Sequence, residues 1–158
     1  MQREDVCHLK IVIQENGQIA ETEIVISCGK ADEQILRMVA ALRAFDKKIT
    51  GLRDGQTFLL TPGEILYCDA ADRRTFLYTA TAVYETPLKL YELESRFAQE
   101  EFFRASKSCV INFAKIQSLR PDFGGRMTVT MENGERLTVS RQFVPTIKKK
   151  LYPEEESK

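Results

Sequence analysis

The chain has 158 residues, 43% of them hydrophobic, and 23 Lys/Arg balance 23 Asp/Glu; this suits one domain, or one domain with a small appendage, around a packed core. One histidine (His8) and four cysteines without a Cys-x-x-Cys pair (Cys7, Cys28, Cys68, Cys109) argue against a zinc site and leave little for acid–base chemistry near neutral pH. With no nucleophile motif, no glycine-rich phosphate loop and no apolar run long enough for a leader or a membrane span, the expectation is a cytoplasmic protein that is no enzyme, binds no cofactor and takes no small-molecule substrate.

In chain order, Met1 to Asp5 reads as a frayed end. Leu9 to Gln14 is β-branched and predicts a strand, and Thr22 to Ser27 alternates as a second one, with Glu15 to Gln18 as the turn or short loop between them. Asp32 to Phe45 is the clearest helix: Ile35, Val39 and Leu42 fall at i, i+4 and i+7, widened by Leu36, Met38 and Phe45. A two-strand, one-helix unit has little core of its own, so residues 1–46 are expected to pack on something, and self-association is one of the two readings; the other is a helix packed on its own strands. Lys48 to Leu60 predicts two short strands around the Asp54-Gly55 turn. Ile65 to Asp69 is a nearly continuous apolar strand, as a buried one should be. After a polar loop over Ala70 to Arg74, Thr75 to Tyr84 gives one or two more strands.

Thr86-Pro87 predicts a helix start, with Thr86 as cap and the proline in the first turn; Leu90, Leu93 and Phe97 should be buried and Glu92 and Glu94 should face outwards. Cys109 to Ile111 and Ile116 to Arg120 predict strands, with Asn112 bonding nearby backbone. For the last hairpin, a two-residue Asn133-Gly134 turn would send the two apolar sets to opposite faces. A three-residue loop, Glu132 to Gly134, pairs Val129 with Leu137 and Met127 with Val139 on one face. Since a one-residue slip flips every side chain, the three-residue loop is predicted, with Gly134 left-handed beside a bulge. Phe143 to Leu151 closes the domain as a short helix, Lys148 to Lys150 suiting its C-terminal end, and Glu154 to Glu156 begins an acidic tail expected to be disordered. Cys28, Cys68 and Cys109 lie in apolar strand-like runs and are expected to be buried, reduced thiols.

The charge is uneven. From Phe102 to Lys150 there are ten Lys/Arg and three Asp/Glu, a local net of +7 in a neutral chain, which is a place to receive an anion. The order of the residues says more. Glu64 to Asp69, the helix over Leu88 to Phe97, the run Phe102-Phe103-Arg104-Ala105-Ser106-Lys107-Ser108-Cys109-Val110-Ile111-Asn112 with Lys115-Ile116 after it, and Asn133-Gly134 with Leu137 to Arg141 stand in sequence. Together they resemble the LytTR family of bacterial DNA-binding domains, whose signature is F-x-R-x-H-x-S-x-x-V/I-N. Ser106 stands where the family usually has histidine, so base preference is not carried over at that position. The leading 45 residues are too few for a phospho-accepting receiver domain.

The resemblance implies a mainly β fold with short helices: a LytTR-like antiparallel β-sheet DNA-binding domain over residues 47–152, preceded by a small α/β (strand-strand-helix) region over 1–46 and followed by the tail, 153–158. It implies that loops enter the major groove of double-stranded DNA. Carried over residue by residue, the first loop offers Arg73 and Arg74, the second Ser106, Lys107 and Ser108 with Arg104 nearby, and the third Arg141 with Gln142. Lys107, Arg141 and Arg74 are assigned to base edges, and Arg73, Ser108, Lys115 and Arg126 to phosphate. It implies a homodimer on two half-sites about one helical turn apart. A membrane-protein regulator is a further expectation that no residue here carries. The rival reading is a protein- or ligand-binding β adaptor that does not bind DNA.

Overall fold

The computed structural model describes residues 8–153. The expected frayed start and the acidic residues Glu154 to Glu156 lie outside the described residues. The elements are α1 (Glu33–Asp46), β1 (Ile49–Arg53), β2 (Gln56–Leu60), β3 (Ile65–Ala71), β4 (Arg74–Thr79), β5 (Val83–Thr86), α2 (Leu90–Arg96), β6 (Phe102–Ser106), β7 (Cys109–Asn112), β8 (Ile116–Pro121), β9 (Met127–Met131), β10 (Arg136–Val139) and α3 (Val144–Leu151). Seven strands form one antiparallel sheet in the order β2-β1-β5-β4-β3-β7-β6, and three form a second, β10-β9-β8.

Alternation along the strands sends apolar side chains to both faces of the large sheet, which therefore needs two covers. On one face Ile49, Leu60, Ile65, Cys68, Leu77 and Val110 meet Leu90, Leu93 and Phe97 of the α2 segment. Phe97 is 1% exposed and stacks on Phe102 with ring centroids 3.9 Å apart. On the other face Leu66, Tyr67, Phe103 and Ile111 meet Met127, Val129, Met131 and Val139 of the small sheet and Val144 and Ile147 of α3. A bulge at Leu66, where Ile65 pairs with Thr79 but Tyr67 with Tyr78, lets Leu66 and Tyr67 join this second core while Ile65 and Cys68 join the first. The Tyr67 hydroxyl donates to Glu135, tying the large sheet to the β9–β10 hairpin.

The final hairpin has the register that burial demands: Leu137 pairs with Val129 and Val139 with Met127, and Gly134 closes the three-residue loop at φ +88°. Asn112 is buried at the end of β7, where its amide donates to the Ile65 carbonyl and its oxygen accepts from the Ala114 N–H. The Asp54-Gly55 turn has positive φ at both residues, as a two-residue hairpin turn requires.

Three expectations change. The helix begins at Leu90, not at Thr86-Pro87: Thr86 is the last residue of β5, paired with Thr75 and buried, and Lys89 precedes the first turn. The strands expected over Leu9–Gln14 and Thr22–Ser27 form no ladder, as a lone two-stranded hairpin is marginal in water; Leu9, Ile11, Val12, Ile13, Ile24 and Val25 are exposed. For the same reason Cys28 is exposed rather than buried. The helix over residues 33–46 forms as expected, with Asp32 accepting from the Ile35 N–H, yet none of its residues is buried.

Cys68 and Cys109 are buried as expected. Burial, and then the nearby Asp69 carboxylate, push the Cys109 thiol up to about 12, against a smaller opposing pull from Arg104. Burial raises Cys68 as well. Both thiols therefore stay protonated near neutral pH, when the reactive species is the thiolate.

Candidate nucleic-acid interface

Hairpin geometry brings distant residues together at one edge of the molecule. β3 runs antiparallel to β7, and β7 to β6, so the β3–β4 turn and the β6–β7 turn leave the large sheet at the same end. The first is Asp72-Arg73, and the second is Lys107-Ser108. The Ala70 N–H donates to the Ser108 carbonyl at 2.8 Å and holds the two turns side by side. The chain leaving β10 joins them: the Ser140 N–H donates to the Ala105 carbonyl at 2.8 Å, and Arg141 to Phe143 then form a single 3-10 turn that leads into α3.

The result is an open groove of about 450 Å³ lined by Ser106, Lys107 and Ser108 on one side and Ser140, Arg141 and Gln142 on the other. Its lining holds two cations and no carboxylate. Lys107, Ser108, Arg141 and Gln142 are exposed. Ser106 is half-buried, and its hydroxyl accepts from the Ser108 N–H, closing the turn that presents Lys107. Arg73 stands in the adjacent turn with φ at +64°. Asp72 beside it is at +52°, so the pair forms a two-residue hairpin turn with positive φ at both residues.

The other candidates sit differently. Arg74 opens β4, is exposed, and lies 3.6 Å from Glu85 of β5, which draws it along the sheet. Arg104 is braced: its guanidinium pairs with Glu94 at 2.5 Å and donates to the Lys107 carbonyl at 3.1 Å. It holds the Lys107 turn rather than facing solvent, and Glu94 is thereby half-buried instead of turned outwards. Lys115 follows the far end of β7, away from the groove, and lies 3.9 Å from Glu132. Arg126 is exposed beside β10, donating to the Phe123 carbonyl.

The loop from Asp122 to Arg126 belongs to this edge, and of its residues the sequence offered only Arg126 as a contact. Pro121 pairs with Met127, and Met127 with Val139, which sets the loop against the end of β10. Gly125 packs on the Arg141 side chain so closely that a Cβ there would lie 3.0 Å from Cγ and Cδ, and its φ is +77°. Phe123 is 85% exposed. Asp122 accepts from the Phe123 N–H and the Thr128 hydroxyl, which hold its carboxyl below the usual range. Gly125→Ala should cost about 1 kcal/mol of stability through its left-handed backbone and displace the Arg141 stem. Any DNA affinity should fall several-fold, and equal titration curves for variant and parent would show that Arg141 does not depend on this seat.

Among the described residues, no group of three His, Cys, Asp or Glu could hold a metal ion. Among the described residues, no helix is long and apolar enough to cross a membrane. Among the described residues, no two α-helices follow one another without intervening strands, so none of these residues form a helix-turn-helix.

The molecule is thus a mainly β domain whose basic loops share one edge. A profile of the LytTr DNA-binding domain matches residues 55–152, and the chain belongs to that family. It is 26% identical over 98 residues to the sensory transduction protein LytT of Enterococcus faecalis, and the match covers 62% of this chain but only 40% of that protein. It is 25% identical over 138 residues to an uncharacterized HTH-type transcriptional regulator of Staphylococcus aureus, covering 86% of this chain and 93% of that one. The fold matches the LytTr DNA-binding domain of a Bacillus cereus protein described as a putative methyl-accepting/DNA response regulator, with a TM-score of 0.63 and 23% identity over 66% of this chain and 96% of that one. The expected mainly β, antiparallel LytTR-like fold is the one found; of the strand-strand-helix region expected before it, the helix forms and the strands do not.

Proposed function

We propose that this chain is a bacterial, sequence-specific regulator of transcription that acts in the cytoplasm and reads duplex DNA with the loops of one sheet edge. The observation that carries the proposal is the groove between residues 106–108 and 140–142, where two segments more than thirty residues apart place Lys107 and Arg141 together with no acidic neighbour in the lining. Arginine and lysine donate to guanine O6 and N7 in the major groove, and exposed serine, glutamine and backbone N–H groups donate to phosphate. Lys107 and Arg141 are assigned to base edges. Arg73, Ser108, Gln142 and Arg126 flank them and suit phosphate. Arg104 and Ser106 position the Lys107 turn. Arg74 reaches a base only by giving up Glu85, and Lys115 lies outside the contact surface.

Two copies would bind together, on half-sites about one helical turn apart, so that each presents the same edge to a successive major groove. The expectation of a restraining membrane protein stays with the family resemblance alone.

The test is binding by fluorescence anisotropy to duplexes selected from a random pool by the purified protein. Neutralising about four phosphates predicts roughly a hundredfold loss of affinity between 50 and 200 mM salt. The selected duplex should bind more tightly than a random one at every salt concentration. Binding indifferent to salt, or equal on both duplexes, would return the molecule to the adaptor reading.

A further inference from the structure

We propose that residues 9–45 are a self-association module: the segments Leu9–Gln14 of two copies pair antiparallel, and the resulting sheet is covered by the two α1 helices. This deepens the two-copy reading above and rests on it, while specifying the surface that joins the copies.

The first argument is surface. Leu9, Ile11, Val12, Ile13, Ile19, Ile24, Val25, Leu36 and Phe45 are each more than half exposed. With the less exposed Ile26 and Leu42 they leave apolar surface on the order of 1,000 Å² per copy in the open, spread over both segments and the helix. A stable interface takes about 800 Å² from each partner. The exposed area is therefore what an interface between two such modules requires.

The second argument is register. The Ile19 N–H donates to the Asn16 carbonyl at 3.1 Å, so a turn over Asn16–Ile19 is already formed. Continued into a ladder, that turn sets Ile13 opposite Thr22, Ile11 opposite Ile24 and Leu9 opposite Ile26. Leu9, Ile11, Ile13, Ile24 and Ile26 then share one face, and Lys10, Val12, Gln14, Glu21, Glu23 and Val25 the other. A lone two-stranded hairpin is marginal in water, which accounts for its unpaired state in one copy. Four strands under two helices are a different case. The helix stripe is available: Ile35, Met38 and Val39 are half-buried, Leu36, Leu42 and Phe45 are exposed, and α1 has no buried residue.

Charge suits the first segments to the joining edge. A joint between the second segments would bring four carboxylates, Glu21 and Glu23 of both copies, onto one short ladder, and a pairing about Thr22 would set them face to face. Pairing the first segments about Val12 sets Lys10 opposite Gln14 and Ile11 opposite Ile13 of the other copy, with no like charges facing. Unpaired strand edges are ready templates for such pairing, and a self-complementary edge joins two copies by a two-fold axis and closes.

Size-exclusion chromatography with light scattering on the full chain, without DNA, tests this. The parent should elute with the mass of two chains, and Ile11→Asp and Leu42→Asp, made separately, with the 18.1 kDa of one. Hydrogen exchange should show protected amides over residues 9–14 in the parent and none in Ile11→Asp. Both variants should bind a single half-site as the parent does. They should lose at least tenfold on a double site, where the second contact gains from effective concentration. A single-chain mass for the parent, or a two-chain mass that survives both substitutions, overturns the inference. A parent that forms the dimer yet binds no duplex leaves it standing and removes the DNA reading instead.

Discussion

Arg141→Ala is expected to reduce discrimination between the selected and a random duplex by about 1–3 kcal/mol, five- to a hundredfold or more, with a smaller loss on the random duplex. Arg141 is exposed at the end of β10, and the fold asks nothing of its guanidinium. What the structure does supply is a seat for the stem against Gly125 and a rigid approach, since Ser140 is hydrogen-bonded to β6. A preorganised arginine loses less entropy on binding, and its planar fork matches guanine in a way that a point charge does not. Arg141→Lys should therefore keep most of the affinity for random DNA and recover little of the discrimination. Equal losses on both duplexes, for either variant, would make Arg141 a phosphate contact.

Phe97→Ala should be the most destabilising single change in the core, at about 3–5 kcal/mol. That is a large part of the roughly 5–15 kcal/mol that holds a domain of this size together. Phe97 stacks on Phe102 and fills the layer between α2 and the large sheet, where Leu93, Ile49, Ile65, Leu77 and Val110 are also fully buried. Its loss leaves a cavity that β-strands on one side and a short helix on the other cannot close. Urea unfolding followed by circular dichroism measures it. A shift worth less than about 1 kcal/mol would mean that the α2 layer collapses around the gap or contributes little.

The sequence made some of this legible because local and global demands agree there. In the last hairpin, only one loop length puts Met127, Val129, Leu137 and Val139 on one face, and the core requires one face. The α1 pattern and the Asp54-Gly55 turn are similarly direct. Other features depend on partners far away in sequence. Thr86 has the chemistry of a helix cap, but its pairing with Thr75 keeps it in β5. Glu94 looks like a solvated helix charge until Arg104 reaches it, and Arg74 looks like a free cation until Glu85 does. The Gly124-Gly125 turn reads as an ordinary turn, because nothing local shows that Arg141, sixteen residues on, rests against it. The strand patterns over Leu9–Gln14 and Thr22–Ser27 are real, but a period-2 pattern states only that an edge is wanted, and a lone pair of strands is marginal in water.

The most direct test of the loop-borne contact is amide chemical-shift mapping of the ¹⁵N-labelled protein titrated with its selected duplex. The account predicts perturbations concentrated at residues 72–74, 106–108, 123–126 and 140–142, with the α2 helix and the Lys115 region unchanged. A footprint centred on α1 or α3, with residues 106–108 and 140–142 silent, would contradict it.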